Sequence, residues 1–356
     1  MDTSLQRVLD GERLSYAEGV RLLKALDWFE ICKAGWQIRC QKHGSQYTSY
    51  TMFRVVNYTN VCAIDCKFCS FQEKQESQFA YVLSKEEVFQ KVEEALNCDA
   101  DQIFFQGGVH PTLALDYYTD ILSGVKQKYG VHIRGFSPVE LLNLSQINNC
   151  SVGEVLKVLK NAGLDSVPGA GAELLAERMR QQLSPQKCKV EEWRAIMEEC
   201  HQQGLPGSAT MVVGGGETIE EIVMHLETIR QIQDKTEGFY SFTPWLYQQQ
   251  TKRFQAQKMR PEQFLKILAF SRIYLDNIDN LETSVMVLGK DLGKMALRVG
   301  ANDISSVVIE ENVLKSYGLS SEEEAVRYLE EAGFSARRRD FSYQFIPESS
   351  TQNAVA

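Results

Sequence analysis

Short apolar segments rich in β-branched and aromatic residues alternate along the chain with longer helical patterns. Several of the helical patterns open on a Ser/Thr-x-x-Glu motif, at Ser84, Ser151 and Thr218, where hydroxyl and carboxylate satisfy free backbone N–H groups. Repeated strand–helix units form parallel sheets, and about eight of them close into a barrel. The sequence therefore predicts an α/β fold, a (β/α)8 barrel of the TIM type. The eight predicted strands are Met52–Val56, Ile103–Gln106, His132–Phe136, Asp165–Val167, Ala209–Val213, Tyr240–Thr243, Ser284–Leu288 and Ser306–Ile309.

A further helix start, Ser15-x-x-Glu18, precedes the first predicted strand. Residues 1–50 are therefore expected to form a helical extension packed on the barrel, 51–346 the barrel itself, and 347–356 a disordered tail. The sequence has no repeat of fixed period and no long linker, and 44% of its 356 residues are hydrophobic, which is ample for one large core. One domain is thus predicted rather than two.

The charge balance bears on the possible partners. The formal net charge is −9, which argues against a nucleic-acid partner, although a local basic pocket could exist within an acidic total. The basic run Arg337–Arg339 is short and is interpreted as solvated surface. The first residues contain no apolar core of a signal peptide, and no stretch approaches the roughly 18 apolar residues of a membrane helix. A cytoplasmic protein with no membrane partner is expected.

Polar and glycine-rich segments follow five successive predicted strands, the end of such a barrel where active sites lie. Each glycine run has a plain alternative, because tight turns and close backbone approach require glycine in any case. The coincidence of polar residues with these turns, loop after loop, favours a functional site. The five segments are 57–60 with the cysteines that follow, 106–110, 137–140, 168–173 and 214–217.

Three of the nine cysteines, Cys62, Cys66 and Cys69, lie in the stretch YTNVCAIDCKFCSFQ. In a reducing cytoplasm they are not expected to form disulfides, and three is one too few for an all-cysteine zinc site. A four-iron cluster bound by three thiolates leaves one iron with an open position. Two alternatives remain: a zinc site with a distant fourth ligand, and three unrelated buried thiols.

The C-x3-C-x2-C spacing, with Phe68 directly before the last cysteine, resembles the signature of radical S-adenosylmethionine (SAM) enzymes. From about residue 10 to 346 the chain is similar to the members of that superfamily in the futalosine route to menaquinone, a group that also resembles the deazaflavin-cofactor synthases. GFSP, LDSVPG and Pro244-Trp245 resemble the cyclic dehypoxanthinyl futalosine synthases more than the sister aminofutalosine synthases. The supporting stretches are NYTNVC, QGGVHP, GFSPVEL, LKNAGLDSVPGAGAEL, EEWRAIMEECHQQGLPGSATM, HLETIRQIQDKTEGFYSFTPW and LRVGANDISSVVIEEN.

This resemblance implies a [4Fe-4S] cluster and SAM as cofactors, a cellular one-electron reductant, and dehypoxanthine futalosine as substrate. It implies that a 5′-deoxyadenosyl radical abstracts a ribose hydrogen and that ring closure follows. The three cysteines would hold the cluster, Phe68 would lie against the adenine, Gly107 and Gly108 would admit the methionine amino group, and Glu173 would lie near the ribose. The plain alternatives are packing for Phe68, a turn for the glycines, and a favourable helix N-terminus for Glu173.

On the substrate side, His110 and Tyr58 are candidate catalytic bases, by residue type and by position. Ser137, Ser284 and Asn302 are candidate substrate contacts. His110 has an equally plain alternative, a loop histidine that holds the turn. The other four histidines, at positions 43, 132, 201 and 225, are expected to be surface or packing residues.

Three departures from the family pattern lie on the substrate side. Ala170 replaces a glycine, Gly214-Gly215-Gly216-Glu217 stands where the family has Gly-His-x-Glu, so that the histidine is missing, and Gln248–Thr251 replaces Pro-Glu-Asn-Thr. These departures leave the substrate open and keep two alternatives in view. One is an aminofutalosine synthase-type addition of the adenosyl radical, and the other is a non-catalytic iron–sulfur or zinc protein on the same barrel.

Overall fold

The computed structural model describes residues 2–248, 253–255, 259–308 and 318–347. Three helices come first, α1 (Thr3–Leu9), α2 (Tyr16–Ala25) and α3 (Trp28–His43). The predicted capping box of α2 is present, because Ser15 Oγ accepts from the Glu18 N–H and Glu18 Oε2 accepts from the Ser15 N–H. Strand β1 begins at Tyr47, so the helical part ends a few residues before the predicted boundary at 50.

The remaining elements alternate between strands and helices. Of the strands, β2 is buried along its whole length and β1 from its second residue on, as expected for strands covered on both faces. The elements after α3 are β1 (Tyr47–Val56), α4 (Lys85–Leu96), β2 (Gln102–Phe105), α5 (Leu115–Tyr129), β3 (His132–Gly135), α6 (Pro138–Ile147), α7 (Val152–Asn161), α8 (Glu177–Leu183), α9 (Val190–Gln202), β4 (Gly207–Val213), α10 (Ile219–Thr236), β5 (Phe239–Leu246), α11 (Pro261–Tyr274), β6 (Asn280–Leu281), α12 (Val285–Leu297), β7 (Asp303–Val308), α13 (Glu322–Glu331) and β8 (Ser335–Arg338).

The named strands pair in parallel, in the orders β3-β2-β1-β7 and β4-β5-β6. Single parallel bridges connect the two sheets, from Arg134 to Ser166, from Val167 to Gly207, and from Glu282 to Asp303. Through them the pairing runs from β1 around the sheet and back to β1. The predicted parallel α/β architecture is confirmed, and residues 166–167 occupy the place of the fourth predicted strand.

Two strand predictions differ from the structure. Ser284–Leu288 was predicted as a strand, but β6 is Asn280–Leu281, and Val285 already begins α12. An apolar run of four residues has no period that distinguishes a buried strand from the first turn of a buried helix. Strand β8 was not predicted, because the polar segment Ser335–Arg338 lacks strand composition; it pairs with the first residues of β1.

The segment after β8 closes one end of the barrel. The interpretation of Arg337–Arg339 as solvated surface is wrong for Arg339, which is 3% exposed. Its Nε lies 2.6 Å from Asp303 Oδ2, and Phe341 stacks on His132 with ring centroids 3.7 Å apart. Asp303 and His132 are the first residues of β7 and β3, so this segment covers the amino ends of the strands and leaves the carboxyl ends to the loops.

In the described part of the chain, no helix combines the length and apolarity needed to cross a bilayer. Of the predicted tail, residues 348–356 lie outside the described residues, as does Ile309 of the last predicted strand.

Candidate active site

The cysteine loop lies between β1 and α4 and is joined to the loop after β2. The Ala63 N–H donates to the Val109 carbonyl at 2.8 Å, and the Val109 N–H points at Cys62 Sγ at 3.3 Å. Within the loop, the Cys69 N–H donates to the Cys66 carbonyl at 3.2 Å. The loop is therefore held by backbone contacts that leave the sulfur atoms available as ligands.

Glycine is required at 107 and 108 for the two loops to come together. A Cβ on Gly108 would lie 2.2 Å from the Val61 carbonyl oxygen, and one on Gly107 would lie 2.6 Å from the Tyr58 ring. Contacts this short do not occur, and the Val61 oxygen belongs to the backbone and cannot rotate away. Gly107 and Gly108 were expected to make room for the methionine amino group. In the structure they allow the loop after β2 to approach the loop after β1.

The three thiols lie close enough to interact electrostatically. Burial raises the pKa of Cys62 and of Cys69, and the neighbouring Cys66 charge raises both further, while backbone N–H groups partly offset these effects. Thiolates packed together in this way need a cation between them. No three His, Cys, Asp or Glu side chains converge as a single-ion site in the described ranges. The three cysteines lie on one loop, between residues 62 and 69, and three thiolates are the donor set expected for a multi-iron cluster with one open position.

Beside the cysteines, Phe68 meets residues from two other loops. Its ring lies 5.2 Å from that of Tyr247 at the end of β5, and Lys187 Nζ lies 5.4 Å from its centroid. Lys187 in turn forms an ion pair with the carboxylate of Glu173, whose φ of 47° is in the left-handed region. Lys187 thus contacts both Phe68 and Glu173, the two residues to which the resemblance gives a place beside the adenosyl group. Sequence reasoning missed Lys187 and Tyr247, since neither belongs to a motif.

The segment after β4 contains one of the three departures from the family pattern, Gly214–Glu217. The N–H groups of Gly214 and Gly215 donate to the two oxygens of Glu217, at 2.7 and 2.8 Å. A Cβ on Gly215 would lie 2.9 Å from Met179 Cε and 3.0 Å from Tyr247, so these side chains already occupy the space beside it. Gly215 therefore does not open extra room there. Residues 249–251 of the Gln248–Thr251 stretch lie outside the described residues.

Tyr58 lies in the core, where it is not accessible to accept a proton from a substrate. Its hydroxyl donates to Glu140 Oε1 at 2.6 Å, and burial together with the Glu140 charge raises its pKa well above the usual 10. Glu140 also accepts from Ser137 and, at 3.4 Å, from the Gly107 N–H. This geometry favours a positioning role for Tyr58 over the predicted role as a base.

His110 holds its own turn through one ring nitrogen. Its Nδ1 accepts from the N–H groups of Thr112 and Leu113, at 3.2 and 3.0 Å, and burial lowers its pKa. The proton of the neutral ring must then be on Nε2. In this tautomer His110 can donate a hydrogen bond through Nε2, but it has no free basic nitrogen.

The three candidate substrate contacts occupy different places. Ser137 caps α6 and hydrogen-bonds Glu140, and Ser284 stands at the carboxyl end of β6, where α12 begins. Asn302 precedes β7 at the opposite end of the barrel, and its Oδ1 accepts from Arg272 at 2.6 Å and from the Leu281 N–H at 2.8 Å. The structure brings Ser137 and Ser284 to the cysteine end but not Asn302.

Comparisons with protein families find two matching models. "Radical SAM superfamily" matches residues 56–229, and "CofH/MqnC C-terminal region" matches residues 236–352. Together these matches cover most of the chain, from the end of β1 to the segment after β8.

Several relatives match over nearly the full length. A cyclic dehypoxanthine futalosine synthase of Halalkalibacterium halodurans is 37% identical, covering 97% of this chain and 95% of its own. A 5-amino-6-(D-ribitylamino)uracil–L-tyrosine 4-hydroxyphenyl transferase of Methanosarcina barkeri is 34% identical (98% and 95%). An aminodeoxyfutalosine synthase of Thermus thermophilus is 32% identical (88% and 86%). Among solved structures, methylornithine synthase (PylB) has a TM-score of 0.71 at 16% identity, over 94% of this chain and 97% of its own, a likeness of fold.

Proposed function

We propose, from the premise that this chain belongs to the radical SAM superfamily and to its CofH/MqnC group, that it cyclises dehypoxanthine futalosine in menaquinone biosynthesis. The observation that carries this proposal is the match to a cyclic dehypoxanthine futalosine synthase, at 37% identity over 351 residues. Enzymes of this superfamily use a [4Fe-4S] cluster and SAM. The reaction also needs a one-electron reductant, which a reducing cytoplasm would supply.

Cys62, Cys66 and Cys69 would hold the cluster, because they are three sulfurs on one loop at the carboxyl end of the barrel. When bound, the cluster and SAM supply one-electron cleavage of a sulfonium and, with it, hydrogen-atom abstraction from carbon. The Val109 N–H, 3.3 Å from Cys62 Sγ, would stabilise the thiolate of that ligand. Gly108 would keep the two loops close enough for this contact.

Glu173, Lys187 and Phe68 would form the nucleoside side of the site. The Glu173 carboxylate can accept from ribose hydroxyls, and its ion pair with Lys187 orients it. Phe68 offers an aromatic ring to a base, and it packs against Tyr247 with ring centroids 5.2 Å apart. These residues would orient the nucleoside and exclude water from the reacting carbon.

His110 would donate a hydrogen bond to the substrate through Nε2–H rather than remove a proton. Removing a proton through Nε2 would require the other tautomer, which gives up the two backbone N–H bonds to Nδ1. Ser284 stands at the same end of the barrel without a hydrogen bond from its side chain to the α12 backbone, and is a candidate polar contact. The group that takes the final proton would then come from solvent or from the substrate.

The test is product analysis after anaerobic reconstitution of the cluster. Dehypoxanthine futalosine and the enolpyruvyl benzoate of the sister reaction are offered in parallel, with SAM and a chemical reductant. The proposed enzyme converts dehypoxanthine futalosine and releases 5′-deoxyadenosine. When the ribose C4′ of that substrate carries deuterium, the deuterium appears in the 5′-deoxyadenosine. An adenosylated adduct from the enolpyruvyl benzoate alone would favour the chemistry of the Thermus thermophilus relative and overturn the proposal.

A further inference from the structure

The cysteine loop is anchored to the rest of the chain in two places. At its start it is tied to the loop after β2, and in its middle to the end of α8 and the segment that follows. In this second place the Asp65 N–H donates to Gln186 Oε1 at 2.6 Å, and the Lys67 N–H donates to the Leu183 carbonyl at 2.9 Å. The two donors are the chain neighbours of Cys66, so the middle cysteine is held on both sides by one distant segment.

Cys66 differs from the other two cysteines of the loop in its surroundings. It is buried, whereas Cys62 and Cys69 are partly buried. Its carbonyl accepts from the Cys69 N–H at 3.2 Å and from Arg253 Nη2 at 3.4 Å. A thiol that binds iron must be left free by the protein, so the position of this ligand depends on contacts made by the backbone around it.

Gln186 belongs to a tight turn, Ser184–Lys187, that follows α8 directly. The Lys187 N–H donates to the Ser184 carbonyl at 3.0 Å and closes the turn. Pro185 occupies the second position of the turn, where its fixed φ is favoured. The turn thus fixes the backbone from which the Gln186 side chain reaches the cysteine loop.

A buried arginine, Arg180 of α8, ties this turn to the loop that carries Glu173. Its Nε donates to the Cys188 carbonyl at 2.9 Å, and its Nη1 donates to the carbonyls of residues 171–172 at 3.1 and 2.8 Å. The ion pair between Lys187 and Glu173 is a second link between the same two segments. Because carbonyls from both segments meet at one guanidinium, the turn cannot shift without breaking several hydrogen bonds.

We propose that Gln186 is a positioning residue for the iron–sulfur cluster, because its amide oxygen holds the Asp65 N–H and thereby keeps Cys66 where it binds iron. The proposal rests on the part of the proposed function that assigns the cluster to the three cysteines of the loop. Contacts that orient metal ligands from outside commonly raise metal affinity by about tenfold or more. Gln186 is exposed, and solvent can accept from the Asp65 N–H in its absence, but solvent does not fix the position of the loop.

The second anchor limits the size of the effect. The bond from the Lys67 N–H to the Leu183 carbonyl is made by the backbone alone, so it is retained in every variant of Gln186. All three sulfur ligands are retained as well. Loss of the Gln186 amide oxygen therefore gives a cluster that assembles but is released more easily, whereas loss of a cysteine prevents assembly.

The test is the rate at which reconstituted protein loses iron to the chelator bathophenanthroline disulfonate, followed by absorbance without oxygen. Gln186→Met keeps the length of the side chain but not the amide oxygen, and Gln186→Glu keeps an acceptor oxygen. The matched control is Gln182→Met, since Gln182 is exposed on α8 and accepts from Arg178 at 3.4 Å. We expect Gln186→Met to lose iron about three- to tenfold faster than wild type, and Gln186→Glu and Gln182→Met to stay within about twofold of it.

Loss of iron at the wild-type rate in Gln186→Met, or equally fast loss in Gln186→Met and Gln186→Glu, overturns the proposal. Urea denaturation of the cluster-free proteins should give the same midpoint for Gln186→Met and Gln182→Met. A lower midpoint for Gln186→Met would indicate a general contribution to folding and would also overturn it.

The same experiment separates this inference from the proposed function. A wild type that assembles no four-iron cluster refutes the cluster assignment, and the inference fails with it. Iron loss is measured without substrate, so the expected order of rates in a protein that does not convert dehypoxanthine futalosine refutes the cyclisation alone.

Discussion

The Tyr58 hydroxyl donates to Glu140 Oε1 at 2.6 Å, and the same carboxylate oxygen receives the Gly107 N–H at 3.4 Å. Both side chains are buried, and burial also raises the pKa of Glu140. The contact joins the core beneath α5 and α6 to the backbone of the glycine pair beside Cys62. Through Glu140, Tyr58 therefore positions the backbone of Gly107, which lies beside the cysteine loop.

Tyr58→Phe tests this positioning role. The substitution removes a hydrogen bond to a buried carboxylate, and we expect the free energy of unfolding to fall by about 1.5–3 kcal/mol. Turnover should fall by less than about tenfold with an unchanged pH profile, because no proton is lost from the mechanism. Urea denaturation and a pH–rate profile measure the two effects. Tyr117→Phe, which removes a hydroxyl bonded to the Leu83 carbonyl at 2.8 Å, is the control. If Tyr58→Phe removed one of the two arms of the pH–rate profile, Tyr58 would have to act as a base after all.

Alanine at Cys62, Cys66 or Cys69 should abolish assembly of a four-iron cluster, since each removes one of three adjacent sulfur ligands. Iron and sulfide are quantified after anaerobic reconstitution. Cys98→Ala and Cys200→Ala serve as controls, one exposed and one buried, and should retain full iron content. A full cluster in any of the first three variants would show that the ligand set is wrong.

Gly108→Ala should disrupt the cysteine site without touching a sulfur ligand. Its new Cβ would meet the Val61 carbonyl oxygen at 2.2 Å and force the two loops apart. We expect a loss of stability of about 1–3 kcal/mol and a reduced iron content after reconstitution. Gly318→Ala is a matched control, because its Cβ would meet Met286 at an ordinary 3.5 Å. A Gly108→Ala variant with normal iron and stability would refute the argument from close approach.

The Arg339–Asp303 pair should be worth far more to stability than an exposed ion pair. Side-chain exposure is 3% for Arg339 and 0% for Asp303, so Arg339→Met leaves buried negative charge uncompensated. We expect a loss of about 3–5 kcal/mol by denaturant titration. Lys128→Met breaks the exposed Lys128–Glu93 pair and should cost less than about 1 kcal/mol. Similar costs for the two variants would show that the barrel end does not depend on Arg339.

His201 should make the protein less stable as the pH falls from 6.5 to about 4. Burial lowers its pKa from 6.5 to about 4, so in this window the unfolded chain binds a proton that the folded protein does not. The folded ring hydrogen-bonds Thr236 through Nδ1 at 2.7 Å, and its buried Nε2 has no partner among the described residues to receive an added N–H. Chemical denaturation across this range should show a contribution of up to about 3 kcal/mol, absent in His201→Gln. Thr236→Val keeps the histidine and should keep the slope, and an unchanged slope in His201→Gln would contradict the assignment.

Local interactions account for what could be predicted from the sequence. The capping boxes at Ser84, Ser151 and Thr218 are all present, because both partners lie within one turn of helix. The cysteine loop was found for the same reason, since its ligands are separated by two or three residues. The alternation of strands and helices then determined the parallel architecture.

The parts that could not be predicted depend on partners distant in the sequence. Arg339 is buried because it forms ion pairs with Asp303 and Glu282, which are distant in the sequence. The run Arg337–Arg339 alone does not indicate this burial. Asn302 was predicted as a substrate contact, but it lies before β7 at the end of the barrel opposite the cysteines, where its Oδ1 accepts from Arg272. Lys187 reaches the site only through the packing of the segment after α8.

Strand β1 is paired along its first residues, Tyr47–Tyr50, with a strand that comes near the far end of the chain, Ser335–Arg338. On a ribosome the two halves of this pairing are made on the order of tens of seconds apart, at the usual rate of synthesis. Until then the beginning of β1 carries unpaired N–H and C=O groups that can pair with another nascent chain. The pairing of β1 can therefore be completed only at the end of synthesis, when residues 335–338 have been made.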